Sequence, residues 1–139
     1  MIEDDDQELR EILDKKAKEL SIPKPEASKV PLSHKPSQVT DADFDAFIKS
    51  NSLCVIDFWA EWCGPCKYME PIVEQLASEL KGKVVFGKLN VDENPETTQR
   101  FQVMSIPTMI VFKNSEPVHM IVGAMPKNTL LKELAPFMN

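Results

Sequence analysis

Two cysteines, in Cys63-Gly64-Pro65-Cys66, are the residues of this sequence best placed to do chemistry. Their spacing suits either thiol–disulfide exchange or half of a zinc site. Zinc needs a tetrahedral set of ligands, and beyond this pair there are only Cys54, His34 and His119, none at ligand spacing. Exchange needs only the two thiols, and the pattern favours it. Before them runs Leu53-Cys54-Val55-Ile56-Asp57-Phe58-Trp59, a nearly continuous apolar stretch of the kind covered on both faces of a sheet. After them, Met69, Ile72, Val73, Leu76, Ala77 and Leu80 recur at helical spacing, with Pro71 expected to kink the helix. The pair therefore falls where a buried strand passes into a helix. The helix dipole and the free backbone N–H groups there favour thiolate over thiol. Cys63, at the turn, is expected to be the exposed nucleophile of low pKa, and Cys66, one turn in, the covered resolving thiol. Cys63 would attack a disulfide, and Cys66 would displace the product from the mixed disulfide.

The elements that position this pair can be read on either side of it. Thr40 looks like the N-cap of a short helix whose Phe44, Phe47 and Ile48 share a face. Gly82 ends the long helix, and residues 84–91 form the next strand. Asn94-Pro95-Glu96 opens a helix that runs to about Gln102. Residues 108–112 and 118–122 form a hairpin, and a last helix starts near Pro126 and becomes irregular by Pro136. The order β-α-β-α-β-β-α implies an α/β fold with one mixed sheet and helices on both faces. Asp57 is the only charge in its strand, where a charge is costly unless paired or protonated. Cys54, on the same strand, reads as a buried inert thiol.

The 139 residues, 42% apolar and 27% charged, allow one ordinary domain with length to spare. The spare length is N-terminal. Leu9, Ile12, Leu13, Ala17 and Leu20 mark an amphipathic helix over residues 4–20, and Pro23, Pro25, Pro31 and Pro36 punctuate a linker. Residues 1–36 are thus expected to form an arm and residues 37–139 the domain. With 22 acidic against 16 basic side chains, the net charge of −6 argues against nucleic-acid binding. No apolar run approaches the roughly 18 residues of a membrane span. The acidic start, Met1-Ile2-Glu3-Asp4-Asp5-Asp6, resembles neither a secretory signal nor a transit peptide, and a cytoplasmic location is expected. No glycine-rich phosphate loop appears, so no nucleotide, flavin or metal cofactor is expected.

Four blocks in order resemble the thioredoxin family. They are Val55-Ile56-Asp57-Phe58-Trp59-Ala60-Glu61-Trp62-Cys63-Gly64-Pro65-Cys66-Lys67, then Lys88-Leu89-Asn90-Val91-Asp92-Glu93-Asn94-Pro95, then Ser105-Ile106-Pro107-Thr108, and Val122-Gly123-Ala124. The resemblance covers residues 37–139, about three quarters of the chain. It implies the thioredoxin fold and a dithiol that cycles between oxidised and reduced forms. The Gly-Pro pair inside the motif implies the reducing branch, a protein-disulfide reductase recharged by a thioredoxin reductase and acting on disulfide-containing proteins. An oxidase or isomerase on the same fold would differ in reduction potential, and a binding platform would keep its function without the two cysteines.

The resemblance also assigns roles. Asp57 becomes the buried acid beneath Cys66, with a raised pKa, relaying its proton; Lys88 becomes the lysine paired with that acid. The Ile106–Pro107 bond is implied to be cis. Trp62, Gly64, Pro65, Ile106, Pro107, Val122, Gly123 and Ala124 become an apolar rim for substrate, with the Ile106 backbone pairing as an added strand. Trp59 supports the site from beneath, and Met104 lies near the rim. In two places the sequence departs from the family. Ser115 stands where a hairpin Asn-Gly is usual, and the segment before Pro36 has no counterpart in a minimal member. Its apolar stripe could dock on its own domain or on a partner, or be exchanged between two copies.

Overall fold

A computed structural model describes residues 35–138 of the chain. The helix expected over residues 4–20, the linker up to residue 34 and His34 lie outside the described residues. The apolar run forms β2 (Leu53–Trp59), in which residues 54–58 are all buried. β3 (Val85–Asn90) lies parallel to it on one side and β4 (Thr108–Lys113) antiparallel on the other. β5 (Glu116–Val122) and β1 (Ser37–Gln38) are the two edges, giving the order β1-β3-β2-β4-β5. The mixed sheet is the one expected, with one addition. β1 is two exposed residues and carries no periodic signal that a sequence could reveal.

Among the described residues, four helices cover the sheet: α1 (Phe44–Ser50), α2 (Gly64–Glu79), α3 (Pro95–Arg100) and α4 (Lys127–Leu134). One buried cluster joins Val55 and Met109 to Met69, Val73 and Leu76 of α2 and to Leu130 and Leu134 of α4. A second, on the opposite face, joins Ile56, Phe58, Ile110 and Phe112 to Phe44 and Ile48 of α1. The two faces alternate along β2, as a doubly covered strand requires. Gly87 of β3 lets the second face close up, because a Cβ there would stand 2.7 Å from Val39 Cγ2.

Several boundaries differ from the sequence reading. α1 starts at Phe44 with Asp43 as its N-cap, and Thr40 instead closes the preceding turn by donating its N–H to Asp43 Oδ1 at 2.7 Å. α2 runs through Pro71 without a break. The hairpin loop is only Asn114-Ser115, so β5 begins at Glu116, and Pro117 is accommodated because β5 is an edge. Asn114 and Ser115 have φ of 52° and 71°. Positive φ at both central residues marks a type I′ turn, whose twist matches the flanking strands. The serine therefore takes the conformation that glycine usually supplies. α4 passes into a 3-10 turn at Ala135–Phe137, the irregular ending expected around Pro136. Among the described residues, no helix is long and apolar enough to cross a membrane.

Candidate active site

Cys63 is itself the N-cap of α2, with extended backbone (φ −89°, ψ 107°), and its Sγ accepts the Cys66 backbone N–H at 3.1 Å. Gly64 and Pro65 form the first turn, where the missing proline N–H has no intrahelical partner to lose. The Cα atoms of Cys63 and Cys66 are 5.2 Å apart and their sulfurs are bonded, within the usual range of disulfides. Among the described residues, no three His, Cys, Asp or Glu side chains gather as metal ligands. His119 lies against Glu133 of α4 at 2.7 Å.

The expected contrast between an exposed and a covered cysteine is absent. Cys63 is 3% exposed and Cys66 5%. Ala60 is buried with the pair, and Trp59, Val91 and Ile106 pack against it from three separate segments. Hydrogen bonding, not access, separates the two sulfurs. A first-turn N–H aimed at Cys63 Sγ favours thiolate at that atom once the bond is reduced. Cys54 is fully buried on β2, and burial pushes its thiol up to about 11. It stays a thiol near neutral pH.

Beneath the disulfide lies a cleft of about 260 Å³ lined by Asp57, Trp59, Glu61, Cys66, Lys67, Glu70 and Lys88. Asp57 is 3% exposed, and its Oδ1 has no hydrogen-bond partner among the described residues. Burial pushes its carboxyl up to about 7, with nearby Lys88 pulling down and Glu70 pushing up. Asp57 and Lys88 are register partners on adjacent parallel strands and so share a face. Lys88 forms its ion pair with Glu70, however, at 3.4 Å, where the resemblance implied Asp57. The same ammonium lies 4.3 Å from the centroid of the Trp59 ring.

Of the expected rim, Ile106 packs directly against the buried pair. Trp62 is 70% exposed, and its indole is pinned by an Nε1–H donated to Asp92 Oδ2 at 2.8 Å. The Ile106–Pro107 peptide is cis, and Pro107 carbonyl oxygen accepts the Gly123 N–H at 2.8 Å, joining two of the four sequence blocks. Among the described residues, no backbone hydrogen bond engages Ile106. Gly64, Pro65, Val122 and Ala124 are exposed, and Gly123 is half-buried. A hollow of about 330 Å³ between Trp62, Val91, Val103, Met104 and Ile106 continues the rim on one side.

The structure thus brings Cys63, Cys66, Asp57, Lys88, Trp62 and the Ile106, Pro107 and Gly123 loops to one end of the sheet. Sequence alone does not single out Glu70 or Asp92. Glu70 sits one helical turn beyond Cys66, and that spacing was the available clue.

A sequence model of the thioredoxin family, described as Thioredoxin, matches residues 35–136. Thioredoxins of Staphylococcus aureus strains COL and MW2 are each 52% identical over 97 residues, covering 70% of this chain and 92% of theirs. The solved structure of a mutant thioredoxin from Halobacterium salinarum NRC-1 superposes with a TM-score of 0.71 at 30% identity, covering 77% of this chain and 94% of that one.

Proposed function

The chain belongs to the thioredoxin family, and from that premise we propose how its residues share the work of reducing a protein disulfide. Membership makes it a thiol–disulfide oxidoreductase with a redox-active Cys63–Cys66 pair, disulfide-bonded substrates and a thioredoxin reductase as electron source. In the proposed cycle, Cys63 thiolate attacks one sulfur of the substrate disulfide, forming a mixed disulfide and expelling the other sulfur as thiolate. Asp57 carboxylate takes the proton from Cys66. Cys66 thiolate then attacks Cys63 Sγ and expels the second substrate sulfur. The substrate gains two electrons and two protons, which the reductase must restore. The Cys66 N–H on Cys63 Sγ is the observation that carries this division of roles.

Substrate lies across the rim in this reading. Its backbone pairs with Ile106 as an added strand, and its side chains rest on Trp62, Gly64, Pro65, Pro107, Val122, Gly123 and Ala124. Asp92 fixes the indole, and Lys88 tunes the acid. A reducing carrier belongs where thiols are kept reduced, which supports a cytoplasmic location. The start of the family match at residue 35 supports an arm over residues 1–36 and a catalytic domain over 37–139.

Equilibration of the Cys63–Cys66 pair against a thiol–disulfide buffer series tests the direction of electron flow. A midpoint near about −270 mV, the figure carried over from thioredoxin itself, is expected. A value of about −120 to −180 mV would make the protein an oxidant or isomerase instead. The apolar stripe of residues 4–20 supports a separate proposal, docking or dimerisation through the arm. Removing residues 1–35 should change the oligomeric state or the disulfide turnover; finding both unchanged would sink that role for the arm.

A further inference from the structure

Three charged side chains meet below the dithiol, and the family reading employs only two of them. Lys88 is held between the Trp59 ring, 4.3 Å from its ammonium, and Glu70 Oε2 at 3.4 Å. Its side chain is only 14% exposed, whereas that of Glu70 is 51% exposed. Asp57, the strand partner of Lys88, is left with an unpartnered oxygen in the same cleft. The other titratable groups lining that cleft are Glu61, Cys66 and Lys67, with Lys67 4.0 Å from Glu61. From β4, the register partner of Asp57 is the neutral Met109.

We propose that Glu70 is a positioning residue for the disulfide chemistry: by holding the Lys88 ammonium on its own carboxylate, it keeps that charge from settling on Asp57. An ammonium paired directly with Asp57 would hold its carboxylate so firmly in the charged form that it became too weak a base to take the Cys66 proton near neutral pH. Glu70 acts in two ways with the same sign. It occupies the nearest cation, and it adds its own negative charge to the cleft. Both raise the affinity of Asp57 for a proton. The inference rests on the reading of Asp57 as the proton relay for Cys66.

The test compares the full chain with Glu70→Gln, a change at a half-exposed position that should not disturb folding. In the oxidised protein neither Cys63 nor Cys66 titrates, so infrared difference spectra against Asp57→Asn isolate the Asp57 carboxyl. Glu70→Gln should lower its midpoint by about half to one pH unit. The shift should shrink in a Lys88→Met background, since the two residues act through one contact. Glu74→Gln, which removes the same charge one turn further along α2, should leave the midpoint in place. A midpoint unmoved or raised by Glu70→Gln overturns the inference, as does an equal shift from Glu74→Gln. The rate at which Cys66 releases a chromogenic aryl thiol from a mixed disulfide on Cys63 separates the two layers. If the carboxyl midpoint falls and the rate profile does not follow, Glu70 governs Asp57 and the relay role of Asp57 fails. If both fall together, both stand.

Discussion

A Cys66→Ser variant should attack a disulfide-bonded protein once and then remain attached to it. Cys63 keeps everything the first step needs: its place as N-cap, the backbone N–H that stabilises its thiolate, and the rim around it. The second step needs a sulfur nucleophile 5.2 Å away by Cα, and a serine hydroxyl does not cleave a disulfide. Turnover should fall by roughly three orders of magnitude or more, while a covalent adduct accumulates stoichiometrically. Non-reducing electrophoresis with mass analysis of the adduct reads both. Cys63→Ser should lose the same turnover and form no adduct. Because the two cysteines are equally buried, access does not dictate this asymmetry. An adduct formed as fast through Cys66 would reverse the two roles.

Asp57→Asn should slow the protein and make it more stable in alkali. A carboxyl whose pKa rises from an ordinary 3.8 to about 7 on folding holds its proton more tightly in the native chain than in the unfolded one. Its contribution to stability is therefore complete below pH 4 and is lost as pH rises through 7. The loss is on the order of 4 kcal/mol. Asparagine has no proton to lose, so the variant should unfold at higher denaturant concentration than the parent at pH 9, with little difference at pH 4. Denaturant titrations at the two pH values measure this directly, and an equal change at both would refute the buried-charge account. Resolution by Cys66 should meanwhile become about 10–100-fold slower at pH 7. In the parent it should rise with pH through about 7 as the carboxylate forms, and the variant should lose that rise. An unchanged rate would remove Asp57 from the proton path.

Sequence displays those features that depend on neighbours along the chain. The run from Leu53 to Trp59 has the nearly continuous apolar character of a strand covered on both faces, and it forms the central strand. The dithiol sits at the strand-to-helix junction that its flanks require. Features that depend on two strands finding their register are hidden. Glu70 looks like any solvated helix carboxylate until β3 brings Lys88 beneath it. Asp92 becomes the anchor of Trp62 only when two loops 30 residues apart meet. Cys63 reads as exposed because a turn is usually exposed; Ile106 and Val91, which cover it, arrive from elsewhere in the fold. The cis bond before Pro107 was legible only through resemblance, since propensity alone favours trans.

The two edges of the sheet have a consequence for the company this protein keeps. A sheet edge offers unsatisfied backbone groups to any extended chain that drifts past, and such pairing seeds aggregation. Among the described residues, one edge is only two residues long, and the other carries Pro117 and a bulge beside Phe112. In the proposed substrate mode a client chain pairs at Ile106, and pairing along either edge would compete with it. The short edge and the interrupted one leave little regular backbone for such a chain to pair with.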